Sequence, residues 1–347
     1  PAQLRGGVTY VVINLLSTLI FLTGLGLLYG LTGTLNMAHL HLKLQSVADP
    51  GLAAAVSALL LTAFGIKAGL FPLFFWLPAA YPTPPVAVSA IFAGLLTKVG
   101  VYALLRTFTL LFPLPQGGLQ GILLAAAALT MTTGVLGAAA QGEMRRILSF
   151  HIISQVGYMV LGLALFTPLA LAGAVFYLLH HIVVKANLFL IAGLARHWGG
   201  SFELDRLGGL YRARGLTALL FFIPAFSLAG FPPLSGFWAK MILIRACLEE
   251  GYLGLAALAA GVGLLTIYSM TKIWNEAFWK PQPQSAGAMA TGGSRASAWM
   301  MAPVAALAAL TITIGLAPEF FYQLSLAAAE ELLDPGSYVQ GVLGGRP

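Results

Sequence analysis

The stretch at residues 64–106, FGIKAGLFPLFFWLPAAYPTPPVAVSAIFAGLLTKVGVYALLR, narrows the possible folds more than any other part of this chain. It is apolar enough to lie in a bilayer, yet Lys67 and Lys98 sit well inside its apolar runs. Pro72 follows the first lysine by five residues, and Gly65 and Gly69 stand on either side of that lysine. Proline lacks a backbone N–H and its ring clashes with the carbonyl four residues back, so the spacing predicts a helix broken or kinked at Pro72. Helices beginning near Leu52 and near Pro84 would place both lysines about fourteen residues in, near mid-membrane at ~1.5 Å rise per residue. That depth argues against simple snorkelling to the interface. A charge beside a broken helix in lipid marks an ion pathway.

The rest of the chain agrees with a membrane setting. Hydrophobic residues make up 59% of the 347 and charged residues only 8%, which excludes a soluble globular domain of ordinary composition. The single cysteine, Cys247, excludes a disulfide framework and a cysteine-ligated metal or iron–sulfur cluster within the chain, and no cofactor or metal motif is present. A net charge of +7 could suit nucleic acid, but the arginines fall in short loops between apolar runs, where they encode orientation instead. The chain opens on Pro1 and reads as a fragment.

Nine apolar segments follow one another, at about residues 8–30, 52–80, 84–111, 119–141, 147–166, 168–195, 216–248, 252–278 and 298–326. The sequence therefore predicts an all-α polytopic membrane protein of about nine transmembrane helices, two of them broken. Residues 35–50 carry leucines at near-helical spacing and read as an amphipathic surface piece. Residues 280–297 form a polar linker of low complexity, and the acidic end with Glu319, Glu330, Glu331 and Asp334 reads as interfacial. Loop charges fix the orientation. One side collects Arg5, Arg145, Arg146, Arg196, Arg206, Arg212, Arg214, Lys272, Lys280 and Arg295, and the other only Lys43, Arg106 and Arg245. By the positive-inside rule the first side is cytoplasmic.

The seventh segment repeats the design of the second. FIPAFSLAGFPPLSGFWAKMILI holds Gly230, Pro232, Pro233 and Gly236 in mid-span, with Lys240 just beyond. Two Gly/Pro-interrupted helices entering from opposite sides are the mark of an inverted repeat with a midplane site, although Pro and Gly are common enough in membrane helices to coincide. Residues 1–111 would then be the remainder of a first repeat, 112–278 the second, and 279–347 a linker, final helix and tail.

Between the two breaks, the sixth segment holds His180, His181 and Lys185. His181 and Lys185 are four apart and share a helix face. A histidine exchanges protons near neutral pH, and a desolvated lysine can do so too. His180 alone reads equally well as a structural histidine. Arg106, Arg245 and Lys272 lie near segment ends and can snorkel, and His151 stands beside Arg145 and Arg146 as a candidate surface proton collector. Four lysines at helix centres cost about 10–14 kcal/mol on insertion scales, which argues that Lys67, Lys98, Lys185 and Lys240 are kept for use. No Asp or Glu lies in mid-span, so a counter-ion for Lys67 would come from another chain or from upstream of Pro1.

Four segments together, IKAGLFPLFFWLPAAYPTPPVAVSAIFAGLLTKVGVYALLR, GEMRRILSFHIISQVGYM, FYLLHHIVVKANLFLIAGL and GFPPLSGFWAK, resemble the antiporter-like proton-translocating subunits shared by respiratory complex I and the multisubunit Mrp cation/proton antiporters. The LPAAYPTPP turn, LNMAHL, FHIISQVGYM and HHIVVKANLF look most like the D-type subunit of the Mrp class. The resemblance implies a fourteen-helix fold of two inverted five-helix repeats, of which these segments would be the sixth to the fourteenth helix. It implies a lateral proton path through Lys67, Lys98, His181, Lys185 and Lys240, and an essential glutamate upstream of residue 8. It further implies a subunit of a hetero-oligomeric Na⁺/H⁺ antiporter in a bacterial cell membrane, an ion transporter and not an enzyme, with no cofactor. The rival readings are a proton-pumping subunit of a quinone-reducing respiratory complex and a non-conducting scaffold, against which the retained lysines argue.

Overall fold

Within a bilayer every backbone N–H and C=O must find a partner inside the protein, and a helix does so segment by segment. The computed structural model of the chain describes residues 2–47, 49–114, 118–283 and 294–344, and these are helical apart from turns, loops and one bridge between Glu143 and Glu203. The elements are α1 (Ala2–Thr32), α2 (Met37–Leu44), α3 (Pro50–Ala68), α4 (Trp76–Ala80), α5 (Val86–Leu110), α6 (Gln120–Ala140), α7 (Met144–Leu165) and α8 (Pro168–Gly199). They continue with α9 (Gly215–Ala229), α10 (Ser235–Glu249), α11 (Leu253–Trp279), α12 (Ser294–Leu316), α13 (Pro318–Leu333) and α14 (Pro335–Leu343). Among the described residues eight helices are long and apolar enough to cross a membrane, and the pair α9 and α10 supplies a ninth, broken span. Helices α7 and α8 form the centre: α7 is buried over nearly its whole length, and α5, α6, α9, α10, α12 and α13 pack around the two.

Both expected breaks occur, and the first lies slightly before Pro72. Helix α3 ends at Gly69 (φ 82°), whose N–H bonds Gly65 O at 2.9 Å while Leu70 N–H bonds the same carbonyl at 2.9 Å. Helix α9 ends in the same way at Gly230 (φ 93°), with Gly230 N–H and Phe231 N–H on Phe226 O, each at 3.0 Å. A left-handed glycine closes each half-helix, as its missing Cβ permits, so glycine sets the stop and the prolines keep the chain from resuming at once. Cis peptide bonds occur at Phe71–Pro72 and Pro232–Pro233.

The ninth expected segment, residues 298–326, is divided. Helix α12 stops at Leu316, Ala317 leaves the helical region (φ −118°, ψ 54°), and α13 starts at Pro318. Proline has no N–H to give and disfavours a helical residue before it, so the run cannot continue. Helix α13 packs against α8 and carries its acidic residues on exposed positions. The 35–50 link contains the expected short surface helix, with Ala38 and Leu40 buried. Part of the 280–297 linker, residues 284–293, and the Arg295 side chain lie outside what is described.

Charges gather at the ends of the spans as the loop pattern predicts. At one end Arg145 donates to Pro84 O at 3.3 Å and stacks on Phe202, Lys272 donates to Gln141 O at 2.8 Å, and Lys280 donates to Leu204 O at 3.1 Å. At the other end Lys43 donates to Thr32 O at 2.7 Å, and Arg106 lies 4.1 Å from the Tyr338 ring centre. Arg245 is exposed and pairs with Glu249 at 2.7 Å.

Candidate functional site

A half-helix that stops inside the membrane leaves carbonyls without amide donors and directs its negative dipole end at whatever stands there. Both broken-helix lysines stand at such an end, and Lys240 bonds its carbonyls directly. Lys240, one turn into α10, folds back so that its Nζ donates to Leu228 O and to Ala229 O, each at 2.9 Å, the last carbonyls of α9. Its ammonium also lies 5.3 Å from the Tyr158 ring centre. Lys67 occupies the last turn of α3, and its Nζ donates to Asn14 Oδ1 of α1 at 2.8 Å. The Ile66 carbonyl beside it accepts from the Gly69 N–H at 3.2 Å and from the Trp76 indole at 2.9 Å, and past the break Phe71 N–H donates to Thr130 Oγ1 at 2.9 Å. Non-helical backbone at this depth is tolerated because protein groups satisfy it.

Between the breaks, Lys98 and Lys185 lie deeper still. Lys98 is 3% exposed, and its Nζ donates to Ala93 O in a π-helical turn at Phe92–Leu96. A π-turn widens the ladder, so Lys98 finds a carbonyl partner without leaving its own helix. Lys185 is 0% exposed and donates to Leu148 O of α7 at 3.2 Å. The ion pairs among the described residues, Arg145–Glu143, Arg245–Glu249 and Lys280–Glu276, all lie outside this interior. The interior cations therefore rest on backbone and side-chain carbonyl oxygens, not on carboxylates.

Histidines fill the spaces. His181, on α8, is fully buried with no hydrogen-bond partner for either ring nitrogen, and the lysine charges acting on it are those of Lys98 and Lys185. His180 shares a hydrogen bond with Ser235 Oγ at 2.8 Å through Nδ1, and its Nε2 has no partner. The Nδ1 contact fits the structural reading of His180. His151 departs from expectation. It is 0% exposed on α7, both its nitrogens are unpartnered, and the charges acting on it are those of Lys185 and Lys240. It cannot collect protons at the surface, because α7 starts at Met144 and carries it two turns into the bundle.

The arrangement brings Lys98, His181, Lys185 and Lys240 into one buried interior spanning α5, α7, α8 and α10, with Lys67 and Asn14 at its margin. Sequence reasoning placed His151 at the surface and missed Asn14, Gln155, Tyr158 and Tyr177. The last two rings stack at 5.2 Å, and the Tyr177 hydroxyl donates to Gln155 Oε1. A signal was available, because His151, Gln155 and Tyr158 fall at i, i+4 and i+7, one polar face of an otherwise apolar helix. Unpartnered buried atoms on Thr97, His151, Ser154, Gln155, His180, His181 and Asn187 mark the same interior. Buried polar groups are seldom unpaired, so these positions suit bridging water.

Two broken helices joined by a row of buried lysines and histidines define a membrane subunit built to pass small cations or protons through its interior. The chain belongs to the NADH:quinone oxidoreductase/Mrp antiporter transmembrane family, whose model matches residues 1–266. It is 47% identical over 342 residues to the D-type subunit of the Na(+)/H(+) antiporter of Alkalihalophilus pseudofirmus, covering 98% of this chain and 68% of that protein. Among solved structures it is similar to a chain of the Mrp complex from Dietzia sp., with a TM-score of 0.89 and 38% identity over 98% of this chain and 70% of that one. It is also similar to a chain of the membrane-bound sulfane sulfur reductase, an archaeal respiratory membrane complex, with a TM-score of 0.86 and 30% identity over 97% and 68%. The expected fold class and the family resemblance are borne out.

Proposed function

We propose that this chain is the proton-translocating subunit of a multisubunit Na⁺/H⁺ antiporter in a bacterial cell membrane, working beside other subunits of the same complex. Protons would pass laterally by way of Lys67, Lys98, His181, Lys185 and Lys240, with His151 added between the last two. The observation that carries this reading is the lysine row itself, held by carbonyl oxygens and interleaved with unpartnered histidines. A lysine held by a carboxylate would keep its proton. One held by carbonyl dipoles in a low-dielectric interior gains less from its charge and can give the proton up to a bridging water or histidine. The relative from Alkalihalophilus pseudofirmus, a Na(+)/H(+) antiporter component by name, supports antiport and the exchange of sodium.

The test is ΔpH-driven Na⁺ exchange in vesicles containing the complete complex. Lys98→Ala and Lys185→Ala should abolish exchange while the subunits still assemble. Normal exchange by either variant would remove that residue from the path. The second reading, a proton-pumping subunit of a redox-driven membrane complex, is favoured by the likeness to the sulfane sulfur reductase. It predicts that redox-cofactor subunits co-purify with this chain, whereas the antiporter reading predicts partners that are all membrane subunits without them.

A further inference from the structure

The second broken helix carries two serines that the lysine row leaves unused. Ser227 lies in the last turn of α9 and Ser235 opens α10, and both are 0% exposed, as is His180 of α8. A serine inside a helix commonly bonds the carbonyl four residues back, as Ser149, Ser269 and Ser325 do. Ser227 instead turns its hydroxyl across the break. Its Oγ and Ser235 Oγ share a hydrogen bond at 2.9 Å, Ser235 Oγ and His180 Nδ1 share one at 2.8 Å, and Gly236 N–H donates to Ser227 Oγ at 3.3 Å. A Cβ at Gly236 would collide with Ser227 O and stand 2.9 Å from His180 Cε1, so the glycine lets both half-helices close on α8. A second, apolar connection runs from Lys240 to His180. The Lys240 ammonium faces the Tyr158 ring, Tyr158 stacks on Tyr177 at 5.2 Å, and Tyr177 meets the His180 ring edge-on at 5.6 Å. Both phenol protons go elsewhere, to Ala259 O and Gln155 Oε1. The ring column therefore offers a proton no step between Lys240 and His180.

We propose that Ser227 and Ser235 form a hydroxyl wire that carries a proton between the Lys240 break and His180, a step that rests on the proton path proposed above. Counting donors sets its direction. A backbone N–H can only donate, whereas a hydroxyl has one proton and two lone pairs. Among the described residues Ser227 Oγ is bonded to Gly236 N–H and Ser235 Oγ alone, so its proton goes to Ser235. Ser235 then gives its own proton to His180 Nδ1, which puts the neutral imidazole's proton on Nε2, the nitrogen without a partner. One lone pair of Ser227 Oγ stays open, on the residue before Leu228, whose carbonyl holds Lys240 Nζ. A proton released by Lys240 through bridging water bonds to that lone pair. Ser227 passes its former proton to Ser235, Ser235 passes its own to Nδ1, and the imidazolium releases the Nε2 proton into the interior. Each serine oxygen gains one O–H bond and loses one, so both end as neutral hydroxyls and Lys240 as a neutral amine. A turn of the imidazole and of the hydroxyls resets the wire.

The test is ΔpH-driven Na⁺ exchange in vesicles holding equal amounts of the complete complex. Ser235→Ala and Ser227→Ala should each lower exchange about a hundredfold, the low end of what a positioned proton-transfer group supplies. Ser235→Thr and Ser227→Thr restore the hydroxyl and should stay within a few fold of wild type. The double alanine variant should be no slower than either single one, because one cut already interrupts a path in series. If one alanine variant fails to assemble, the other carries the comparison with its threonine counterpart. Wild-type exchange in an alanine variant overturns the wire. So does a loss that threonine does not recover, or a double variant whose losses add, since both describe packing and not a passing proton. Lys240→Ala separates this from the reading beneath it. An inactive Lys240→Ala beside a fully active Ser235→Ala removes the wire alone, whereas wild-type exchange in Lys240→Ala removes that lysine from the path and the wire with it.

Discussion

Lys185→Met and Lys240→Met should move stability in opposite directions while both stop transport. Lys185 is 0% exposed and its Nζ donates to a single carbonyl, Leu148 O, at 3.2 Å, within the hydrogen-bonded ladder of α7. A lysine at a helix centre costs about 2.5–3.5 kcal/mol. One hydrogen bond from a charged donor returns about 1.5–3 kcal/mol. Methionine has a similar length and adapts its shape, so it refills the site without leaving an orphan. The balance for Lys185→Met runs from no change to a gain of about 2 kcal/mol. Lys240 differs because Leu228 O and Ala229 O close a half-helix and take their donor from it, at 2.9 Å each. Orphaning two buried carbonyls costs about 1–3 kcal/mol each, about 4 kcal/mol together at mid-range, against about 3 kcal/mol of desolvation relief, so Lys240→Met should lose about 1 kcal/mol, and up to about 3 at the upper end. The assay is the thermal midpoint of the assembled complex, read beside ΔpH-driven Na⁺ exchange. A loss of more than about 2 kcal/mol in Lys185→Met would make that lysine a structural group and refute the reasoning.

Two further outcomes are expected. Ser201 shares the cavity of Arg145 and Arg196, whereas Ser337 adjoins Tyr338 at the Arg106 end. Cysteines at Ser201 and Ser337, with the native Cys247 buried, should label from opposite sides of the membrane; labelling of both from the same side would overturn the topology. Glu143 caps α7 just outside the membrane, and burial raises its carboxyl above the usual range even though the Arg145 charge and the helix N–H groups pull it down. The folded protein then holds that proton more tightly than the unfolded chain. The associated stability is complete below the unfolded value near pH ~4.3 and declines as pH rises through the raised value. Glu143→Gln should flatten that decline in thermal midpoints measured across acid pH, and an unchanged slope would exclude Glu143 as its source.

Much of this architecture was legible because a bilayer leaves few choices. Apolar length located the spans, and paired Gly/Pro interruptions located both breaks. What escaped depends on contacts far apart in sequence. Lys67 and Asn14 are 53 residues apart, and nothing local says that an amide in α1 would meet a lysine in α3. His151 read as a surface group because it follows two arginines, yet the start of α7 at Met144 turns those arginines outward and carries the imidazole inward. The glycine stop at Gly69 was masked by the louder proline signal three residues later. The division of the last span at Pro318 could have been read from that proline, but the apolar run across it dominated the segment.

The central claim is that the lysines of this row release protons, and Lys67 offers the most direct test. It is half-buried, and its described partner is the uncharged Asn14. Arginine there keeps the positive charge but stays protonated at any working pH. The measurement compares ΔpH-driven Na⁺ exchange by wild type, Lys67→Ala and Lys67→Arg in vesicles holding equal amounts of assembled complex. The account predicts that arginine is as inactive as alanine, because a fixed charge cannot pass a proton onward. Exchange by Lys67→Arg at the wild-type rate would contradict it and make Lys67 a fixed electrostatic anchor.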